Sequence, residues 1–363
     1  MDKSVKLRIY PNKQQRELID KTFGCCRLIY NKGLALRNDA FLQGSHIGYS
    51  QTCKMVTQLK ASPEFQFLCE VDSIALQQTL KDLDYAFKYF FTGRNRCPKF
   101  KCKHSNRQSY KTYNRNGTIR IVGKRIKLPK LGMVKIRRNL HIDGIKFAFV
   151  EKTPTGKYYV SLCIDFTPTP KNLPNKAIGI DVGISSFYTS SDGVSVTNPR
   201  FLNKSHKQLA HAQRILARKQ YKSNNYNKQR IKVAKIIEKV SNQKNDFLQK
   251  QSSKLICENQ TICIEDLNVI GLMQNHNIAN ALVNVSWACF FRMLEYKANW
   301  YGNTVVKIPR FYPSSQICSQ CGFRNPEVRN FKLRIWECPS CNIVHNRDVN
   351  ASINILRKGL SLI

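Results

Sequence analysis

The hydrophobic positions at the start of the chain alternate with polar ones, the period of a strand with one buried face. Val5, Leu7 and Ile9 are separated by single basic residues, and Pro11 ends the pattern. Similar short runs recur through the first half of the chain and predict strands at 119–122, 125–128, 133–136, 145–151 and 158–166. Several short strands separated by turn residues predict a small β-barrel.

Between residues 11 and 93 the hydrophobic spacing changes to the intervals of three and four that mark one face of a helix. The clearest run is Leu76, Leu80, Leu83, Phe87 and Phe90. Helices are predicted at 14–38, 51–60 and 72–91, with a loop at 44–50. Residues 11–93 are therefore predicted to form a helical subdomain.

The second half of the chain alternates buried-type strands with longer helical patterns, which is typical of an α/β domain. A stretch with three prolines at 167–174 is predicted to be the linker that precedes it. Strands are predicted at 177–181, 187–189, 259–264 and 304–308, with helices between 201 and 256, around Trp287 and at the C-terminus. Gly359 is expected to be the C-cap of the closing helix.

The charge of the chain indicates the class of its partner. The 363 residues include 60 Lys and Arg against 23 Asp and Glu, a formal net charge of +37, which favours a polyanion such as nucleic acid. No acidic residue occurs between Tyr85 and Ile142, and Phe100, Tyr110 and Tyr113 interleave with the basic residues there. This segment predicts phosphate contacts and base stacking. The alternative is a basic face that is only solvated.

A membrane surface would be the other anionic partner. The sequence contains no apolar run of about eighteen residues, no signal peptide and no lipidation motif. We therefore expect no membrane partner and a cytoplasmic location, where the thiols of the fourteen cysteines are kept reduced.

Two CxxC pairs near the C-terminus form the most specific motif in the chain. Sixteen residues separate Cys318 and Cys321 from Cys338 and Cys341, which is the spacing of a zinc ribbon. Each pair supplies two thiolates from one tight turn, and Zn²⁺ takes four such ligands in a tetrahedron. Gly322 is expected to adopt a left-handed conformation after the first pair. The other ten cysteines show no such pairing and are expected to be mostly core residues.

Three acidic residues follow predicted strands or open a predicted helix. Asp181 ends one strand, Glu265 follows another, and Asp348 opens the closing helix. Such positions can converge at one sheet edge, where three carboxylates would repel one another unless cations neutralise them. Hard oxygen ligands suit Mg²⁺, and two such ions about 4 Å apart support phosphodiester hydrolysis. Asp266 is an alternative to Glu265 as the ligand.

These motifs, in this order, resemble those of the TnpB family, which are transposon-encoded RNA-guided nucleases related to type V CRISPR effectors. The similarity is carried by GIDVG, IEDLN, SSQICSQCG, CPSC and HNRDVNASINI, and it extends through Leu76–Phe91, Pro98–Lys101 and Arg230–Lys250. The resemblance implies that Asp181, Glu265 and Asp348 are catalytic and bind magnesium. It also implies that the four ribbon cysteines hold a structural zinc.

The resemblance further implies a multidomain α/β architecture. An RNase H-like RuvC nuclease domain would comprise 174–313 and 343–363, with a zinc ribbon inserted at 314–342. An N-terminal wedge β-barrel would comprise 1–10 and 94–173, with a helical recognition domain inserted at 11–93. The implied partners are a guide RNA and double-stranded target DNA cut beside a short motif, with one protein per RNA. Candidate nucleic-acid contacts are Tyr49, Gln77, Gln78, Lys99, Lys101, Arg214, Arg218, Lys232 and Lys235.

Three other functions are compatible with parts of this pattern. An RNA-guided DNA-binding repressor would bind a target without cutting it, although all three acids are present here. A strand-transfer transposase would use a similar acidic triad but would not need a guide RNA. A basic zinc-ribbon protein that only binds nucleic acid would leave the three acids without a role.

Overall fold

A computed structural model of the chain describes residues 1–103, 108–168, 170, 174–268, 271, 274, 285–330 and 332–363. The chain divides into two compact units, Met1–Phe166 and Thr167–Ile363. Thr167 is also the first residue of the predicted linker, of which residues 169 and 171–173 lie outside the described residues. The finer division into four domains remains a prediction. Across the described ranges, no helix is both long enough and apolar enough to cross a membrane.

The first unit contains the helices predicted between residues 11 and 93. They are α1 (Lys13–Leu42), α2 (Tyr49–Ala61) and α3 (Ser73–Phe91), with a 3-10 helix at Pro63–Cys69. A capping box starts α1, because the Asn12 side chain accepts a hydrogen bond from the Gln15 backbone amide and the Gln15 side-chain oxygen accepts one from the Asn12 backbone amide. Asp72 caps α3 by accepting from the Ile74 amide.

The strands of the first unit form one antiparallel sheet. They are β1 (Asp2–Tyr10), β2 (Gln108–Tyr113), β3 (Arg120–Val122), β4 (Arg125–Leu128), β5 (Gly132–Ile136), β6 (Ile145–Lys152) and β7 (Tyr158–Asp165), in the spatial order β2-β6-β7-β1-β5-β4-β3. Edge strands β2 and β3 do not pair with each other within the described residues, so the predicted β-barrel is not confirmed. Strand β2 was not predicted, because its alternation is between tyrosine or threonine and polar residues.

Helices and sheet of this unit share one hydrophobic core. It joins Ile19 and Leu76 of the helices to Val134 and Val160 of the sheet. Tyr110 also lies in this core at 5% exposure, and burial raises the pKa of its hydroxyl. The expectation that Tyr110 stacks on bases is therefore wrong, because even-numbered residues of β2 face inward.

The second unit is built on a mixed five-stranded sheet. Its strands are β8 (Ala177–Val182), β9 (Ser186–Ser190), β10 (Ser195–Thr197), β11 (Thr261–Glu265) and β12 (Thr304–Ile308), in the order β10-β9-β8-β11-β12. Strands β8, β11 and β12 are parallel, whereas β9 and β10 are antiparallel additions. The helices are α4 (Phe201–Ala217), α5 (Asn224–Glu258), α6 (Trp287–Tyr301) and α7 (Arg347–Leu360).

Strand β11 is buried on both faces, which explains its unbroken apolar sequence. Ile262 and Ile264 pack in a core with residues of α5 and α6, whereas Cys263 packs with Ile355 of α7. The sheet is therefore covered by α5 and α6 on one face and by α7 on the other.

Two glycines allow α7 to lie directly on the sheet. A Cβ atom on Gly179 of β8 would come within 2.1 Å of the Ser352 carbonyl oxygen, and one on Gly359 within 2.2 Å of the Cys263 sulfur. The prediction that Gly359 is a C-cap is wrong, because α7 continues to Leu360 and Ser361 is its C-cap. Gly359 is required by close packing rather than by a left-handed backbone.

Candidate active site and metal centre

The four ribbon cysteines lie together in the geometry of a metal centre. Their sulfur atoms are all within 4.8 Å of one another, with 3.6 Å between Cys318 and Cys341 and 3.6 Å between Cys321 and Cys338. A tetrahedral zinc with bonds of about 2.3 Å requires sulfur atoms about 3.8 Å apart, whereas a disulfide requires about 2.05 Å. The cysteine cluster therefore fits zinc.

Each CxxC pair lies in the same type of turn. The Cys318 amide donates to the Phe323 carbonyl and the Gly322 amide to the Cys318 carbonyl, and the second pair repeats both bonds through Cys338, Ile343 and Asn342. The residue after each pair has a positive φ, +79° at Gly322 and +54° at Asn342. The expectation for Gly322 is confirmed, and asparagine fills the equivalent position because it also tolerates this conformation.

A histidine that the sequence did not mark as functional contacts the cysteine cluster. Strands β13 (Ile335–Glu337) and β14 (Val344–Asn346) form a hairpin in which Trp336 pairs with His345. The buried His345 places Nε2 at 3.0 Å from the Cys318 sulfur, and burial lowers the pKa of its imidazole. The neutral ring can donate an N–H···S hydrogen bond to a thiolate and so support it from outside the ligand set.

The expectation that the other cysteines are mostly core residues is wrong. Cys25, Cys26, Cys163 and Cys263 are buried, but Cys69, Cys97, Cys102 and Cys257 are exposed. A cysteine is small and weakly polar, so the sequence alone does not indicate on which side of an element it lies.

The sheet places the three predicted acids on one face at one edge. Strands β8 and β11 are parallel and in register, with Gly179 beside Cys263. Both of these residues face α7, so Asp181 and Glu265, two positions further along, face the same side. Helix α7 begins at this edge with Asp348 in its first turn. All three acids therefore converge at the point where β8 and β11 end and α7 begins.

The negative charges of the three acids act on one another. Burial raises the pKa of Asp181 well above its usual range, and the negative charges of Glu265 and Asp348 raise it further. Among the described residues, only the four cysteines form a group of at least three His, Cys, Asp or Glu side chains whose ligand atoms all lie within 4.8 Å of one another. The ligand oxygens of the three acids are therefore farther apart than this, although their charges interact. The three negative charges repel one another, and a bound cation would relieve this repulsion.

Two arginines partly neutralise Asp181 and Asp348. Arg334, in the ribbon, lies with Nη1 at 3.1 Å from an Asp348 carboxylate oxygen. Arg347 is buried, donates to the Asn330 carbonyl at 2.8 Å and lowers the pKa of Asp181, as Arg334 does. The N-cap Asn346 accepts from the Asp348 amide, which fixes the backbone of Asp348 at the positive end of α7.

The contacts of Glu265 and Asp266 separate these neighbouring acids. Glu265 is the last residue of β11, and it accepts a hydrogen bond of 2.7 Å from the hydroxyl of the buried Ser314. Asp266 instead forms an ion pair with Arg310 at 2.8 Å. Glu265 faces Asp181, so the geometry favours it over Asp266 as the third member of the cluster.

A ladder of polar side chains connects the zinc ribbon to α7. Asn354 donates to the carbonyls of Ser314 and Ile317, and Asn350 donates to Ile317 and accepts from the Ser319 amide. These residues lie on one face of α7 because they are four positions apart. The segment with the first zinc ligand is thus fixed to the helix that begins with Asp348, and it also contains Ser314.

The predicted nucleic-acid residues occupy both units. In the first unit Tyr49 opens α2 half-buried, while Gln77 and Lys99 are exposed, Gln78 is half-buried and Lys101 places its ammonium 3.9 Å from the centre of the Tyr30 ring. In the second unit Arg214, Arg218, Lys232 and Lys235 are exposed on and beside α4 and α5. Their role in nucleic-acid binding remains a prediction.

Comparison with protein families shows matches along much of the chain. A family described as "Probable transposase" matches residues 157–276, and the description "Cas12f1-like, TNB domain" matches residues 287–355. A "Helix-turn-helix domain" matches residues 1–45, where the structure contains β1 and the single helix α1. The first match contains Asp181 and Glu265, and the second contains Asp348 and all four ribbon cysteines.

Individual relatives cover nearly the whole chain. The "Putative RNA-guided DNA endonuclease" of Streptomyces pristinaespiralis is 37% identical over 99% of this chain and 90% of that protein. The "Putative RNA-guided DNA endonuclease InsQ" of Escherichia coli K12 is 29% identical over 98% of this chain and 91% of that protein. The fold resembles that of Cas12f1 in a complex with guide RNA and target DNA, with a TM-score of 0.62, 13% identity and 98% of each chain covered. These matches and the motifs around the acids and cysteines show that the chain belongs to the TnpB family.

Proposed function

We propose that the protein is an RNA-guided DNA endonuclease that hydrolyses target DNA at the site formed by Asp181, Glu265 and Asp348. The observation that carries this proposal is the convergence of three carboxylates, from two parallel strands and a helix start, in a chain with a net charge of +37. Two relatives in the same family have names that state this activity. The alternative of a simple zinc-ribbon binder leaves this convergence without a function.

The architecture that supports this proposal is an RNase H-like nuclease domain of the RuvC type. Strands β8, β11 and β12 with α7 would form its catalytic half, and the ribbon at 314–342 would be its insertion. The first unit would contain the wedge domain at 1–10 and 94–173 and the recognition domain at 11–93. The zinc in the ribbon would be structural, because four cysteines leave no open coordination position.

The donor set at the acidic site fits magnesium. Its three members offer only carboxylate oxygens, which are hard ligands, and their mutual repulsion favours a divalent cation. When bound, magnesium would lower the pKa of the attacking water and stabilise the leaving 3′ oxygen. Asp181, Glu265 and Asp348 would hold it, Ser314 would orient Glu265, and Arg334 would keep the Asp348 carboxylate in place.

The proposed partners are a guide RNA and a double-stranded DNA, with one protein per RNA. Base pairing would read the target sequence, while the protein would bind the heteroduplex by its shape and read a short adjacent motif. The excess of basic residues would hold the RNA, the heteroduplex and the displaced strand. Tyr49, Gln77 and Gln78 remain candidates for reading the adjacent motif, and Arg214, Arg218, Lys232 and Lys235 for backbone contacts.

The function is tested by sequencing the RNA that copurifies with the protein expressed beside its transposon end. We expect a discrete RNA, and we expect the complex to cut a plasmid that carries a matching target in the presence of magnesium. A discrete RNA with specific binding but no cleavage would instead indicate a guided repressor. The absence of any discrete RNA from folded protein would contradict guided cleavage and favour a strand-transfer transposase.

Ser314→Ala is expected to lower the cleavage rate about 10- to 100-fold at limiting magnesium, the usual cost of removing a group that orients a metal ligand. The loss should shrink as magnesium is raised, because Glu265 keeps its oxygens and loses only its orientation. The measurement is the cleavage rate across a magnesium titration. Ser315→Ala is the matched control beside it, and Ser314→Thr should restore the hydrogen bond. An equal effect of both alanine variants would contradict this role for Ser314.

A further inference from the structure

We propose that the solvent face of β2, β6, β7 and β1 binds unpaired bases of the guide RNA. We call this surface the aromatic face, and it comprises Tyr10, Tyr113, Phe147, Phe149 and Tyr159 with Lys6, Arg8 and Lys111. The inference rests on the proposed function for the identity of its RNA. None of the nucleic-acid candidates from the sequence analysis except the interleaved Tyr113 belongs to it.

Strand register places these residues on one side of the sheet. Phe149 pairs with Lys111 on β2 and with Ser161 on β7, and two residues away Phe147 pairs with Tyr113. Tyr159 on β7 pairs with Arg8 on β1. Since cross-strand partners point to the same face, all five rings lie on one side of four neighbouring strands, and Tyr113, Phe147 and Phe149 contact one another.

The aromatic face is open, while the other side of the same strands is the core. Ala148, Val150, Val160 and Leu162 are completely buried on that inner side. On the outer side Phe149 and Tyr10 are each 39% exposed, and the other three rings are half-buried. Exposed contiguous apolar surface, here formed by Tyr113, Phe147 and Phe149, marks an interaction site rather than ordinary surface composition.

Cations lie over these rings. The Lys111 ammonium is 4.0 Å from the Phe147 ring centre, 4.7 Å from that of Tyr113 and 5.5 Å from that of Phe149. The Arg8 guanidinium is 4.9 Å from the Tyr10 ring centre, and the Lys6 ammonium is 4.8 Å from that of Tyr159. Each ring thus has a positive charge beside it, so a base could stack on the ring while its phosphate contacts the cation.

The carboxylates near this face leave two of its cations unpaired. Lys6 forms an ion pair with Glu151, which lies on the same side of the sheet. Within the described residues, neither Arg8 nor Lys111 has a carboxylate oxygen within 4.0 Å of its charged nitrogens. Lys111 donates to the Tyr113 hydroxyl and its charge acts on the nearby Asp82 carboxyl, but it forms no ion pair. Both cations can therefore reach phosphate groups, whereas a protein partner would need acids to match a chain of charge +37.

Single-stranded RNA matches this surface better than a duplex does. A duplex conceals its base planes, whereas unpaired bases can stack on exposed rings, and β-sheets with exposed aromatic residues bind RNA in this way. The hydroxyls of Ser109 and Ser161 belong to the same face and can pair with ribose 2′-hydroxyls. Of the nucleic acids in the proposed complex, the guide RNA supplies both unpaired bases and 2′-hydroxyls.

The test measures anisotropy of a short labelled oligouridine bound to RNA-free full-length protein in EDTA, with DNA of the same sequence and an RNA duplex as competitors. Phe149→Ala is expected to weaken oligouridine binding about 5- to 150-fold, the effect of losing one base-stacking contact. Phe149→Leu should also weaken binding, because it keeps apolar packing but loses the flat ring. Phe90→Ala is the matched control, since Phe90 on α3 is exposed to a similar extent, 37%.

Lys111→Gln tests the phosphate contact through the salt dependence of binding, which distinguishes it from a variant that merely unfolds. Removing one phosphate contact to a single strand should lower the slope of log affinity against log salt by about 0.7, whereas Phe149→Leu should leave that slope unchanged. Wild-type binding by Phe149→Ala, an equal loss in Phe90→Ala, or equal competition by the duplex would overturn the proposal. Stronger competition by the DNA strand than by oligouridine would overturn the assignment to RNA.

Because this assay involves no cleavage, it remains informative if the nuclease proposal fails. Conversely, guided cleavage that is intact in a Phe149→Ala protein with wild-type RNA affinity would overturn only the aromatic face as an RNA site.

Discussion

Replacing Asp181 with alanine is expected to lower the rate of guided DNA cleavage more than about 1,000-fold while leaving RNA and target binding unchanged. The loss should exceed the 10- to 100-fold typical of groups that only support a metal ligand, because Asp181 would be a ligand itself. The charge of Asp181 is destabilised by burial and by both Glu265 and Asp348. Its removal takes one of the three proposed ligands from the cluster.

The same substitution should not lower stability. Asp181 is a half-buried acid in a repulsive environment, so its loss relieves repulsion and leaves the magnesium-free protein at least as resistant to heat. Cleavage and thermal unfolding measured on the same preparation separate this outcome from misfolding. Asp192→Ala is the control, because Asp192 is an exposed aspartate outside the acidic cluster. It lies in the turn after β9 and forms an ion pair with Lys176. Cleavage by Asp181→Ala at the wild-type rate would show that the site is misassigned.

Periodicity predicted the elements that carry the site. Ile178–Asp181 and Ile262–Ile264 are short apolar runs that become β8 and β11 because a strand covered on both faces needs no polar residue. Which acid faces the site follows from the alternation along each strand. Glu265 and Asp266 are adjacent, so an error of one position in the strand would exchange them. The structure supplies the register, the packing of α7 and the Arg310 partner that distinguish the two.

Long-range contacts of the site could not be predicted in this way. Ser314 lies 49 residues from Glu265 in sequence, and Arg334 lies 14 residues from Asp348 across the ribbon. Neither residue has a pattern that marks its partner. His345 could have attracted attention, since a histidine four residues after Cys341 in a metal-binding segment is a common arrangement.

The errors in the sequence analysis have a common physical origin. Tyr110 and Gly359 were assigned from residue type, an aromatic in a basic segment and a glycine near a helix end. Their actual roles depend on their neighbours in the fold. Tyr110 packs in the hydrophobic core of the first unit, and Gly359 packs against Cys263. Residue type constrains what a side chain can do, whereas tertiary packing determines what it contacts.

Removing the zinc is expected to disable the nuclease without touching its acids. Cys338 is completely buried among the ribbon ligands, so Cys338→Ser should reduce bound zinc from one per chain to none and unfold the ribbon. The ribbon contains Arg334, which contacts Asp348, and begins with Ser314, which contacts Glu265. Two of the three acids should therefore lose a contact that orients them, and cleavage should fall at least about 10- to 100-fold.

The asparagine ladder determines how far this damage extends. Asn350 and Asn354 hold the segment with Cys318 against α7, and their partners are backbone groups that keep their positions only while the ribbon is folded. Elemental analysis, thermal unfolding and cleavage of Cys338→Ser should therefore change together, whereas Cys257→Ser, at an exposed cysteine of the same unit, should match wild type. Full cleavage by zinc-free protein would show that α7 and Ser314 hold the acids in place even when the rest of the ribbon is unfolded.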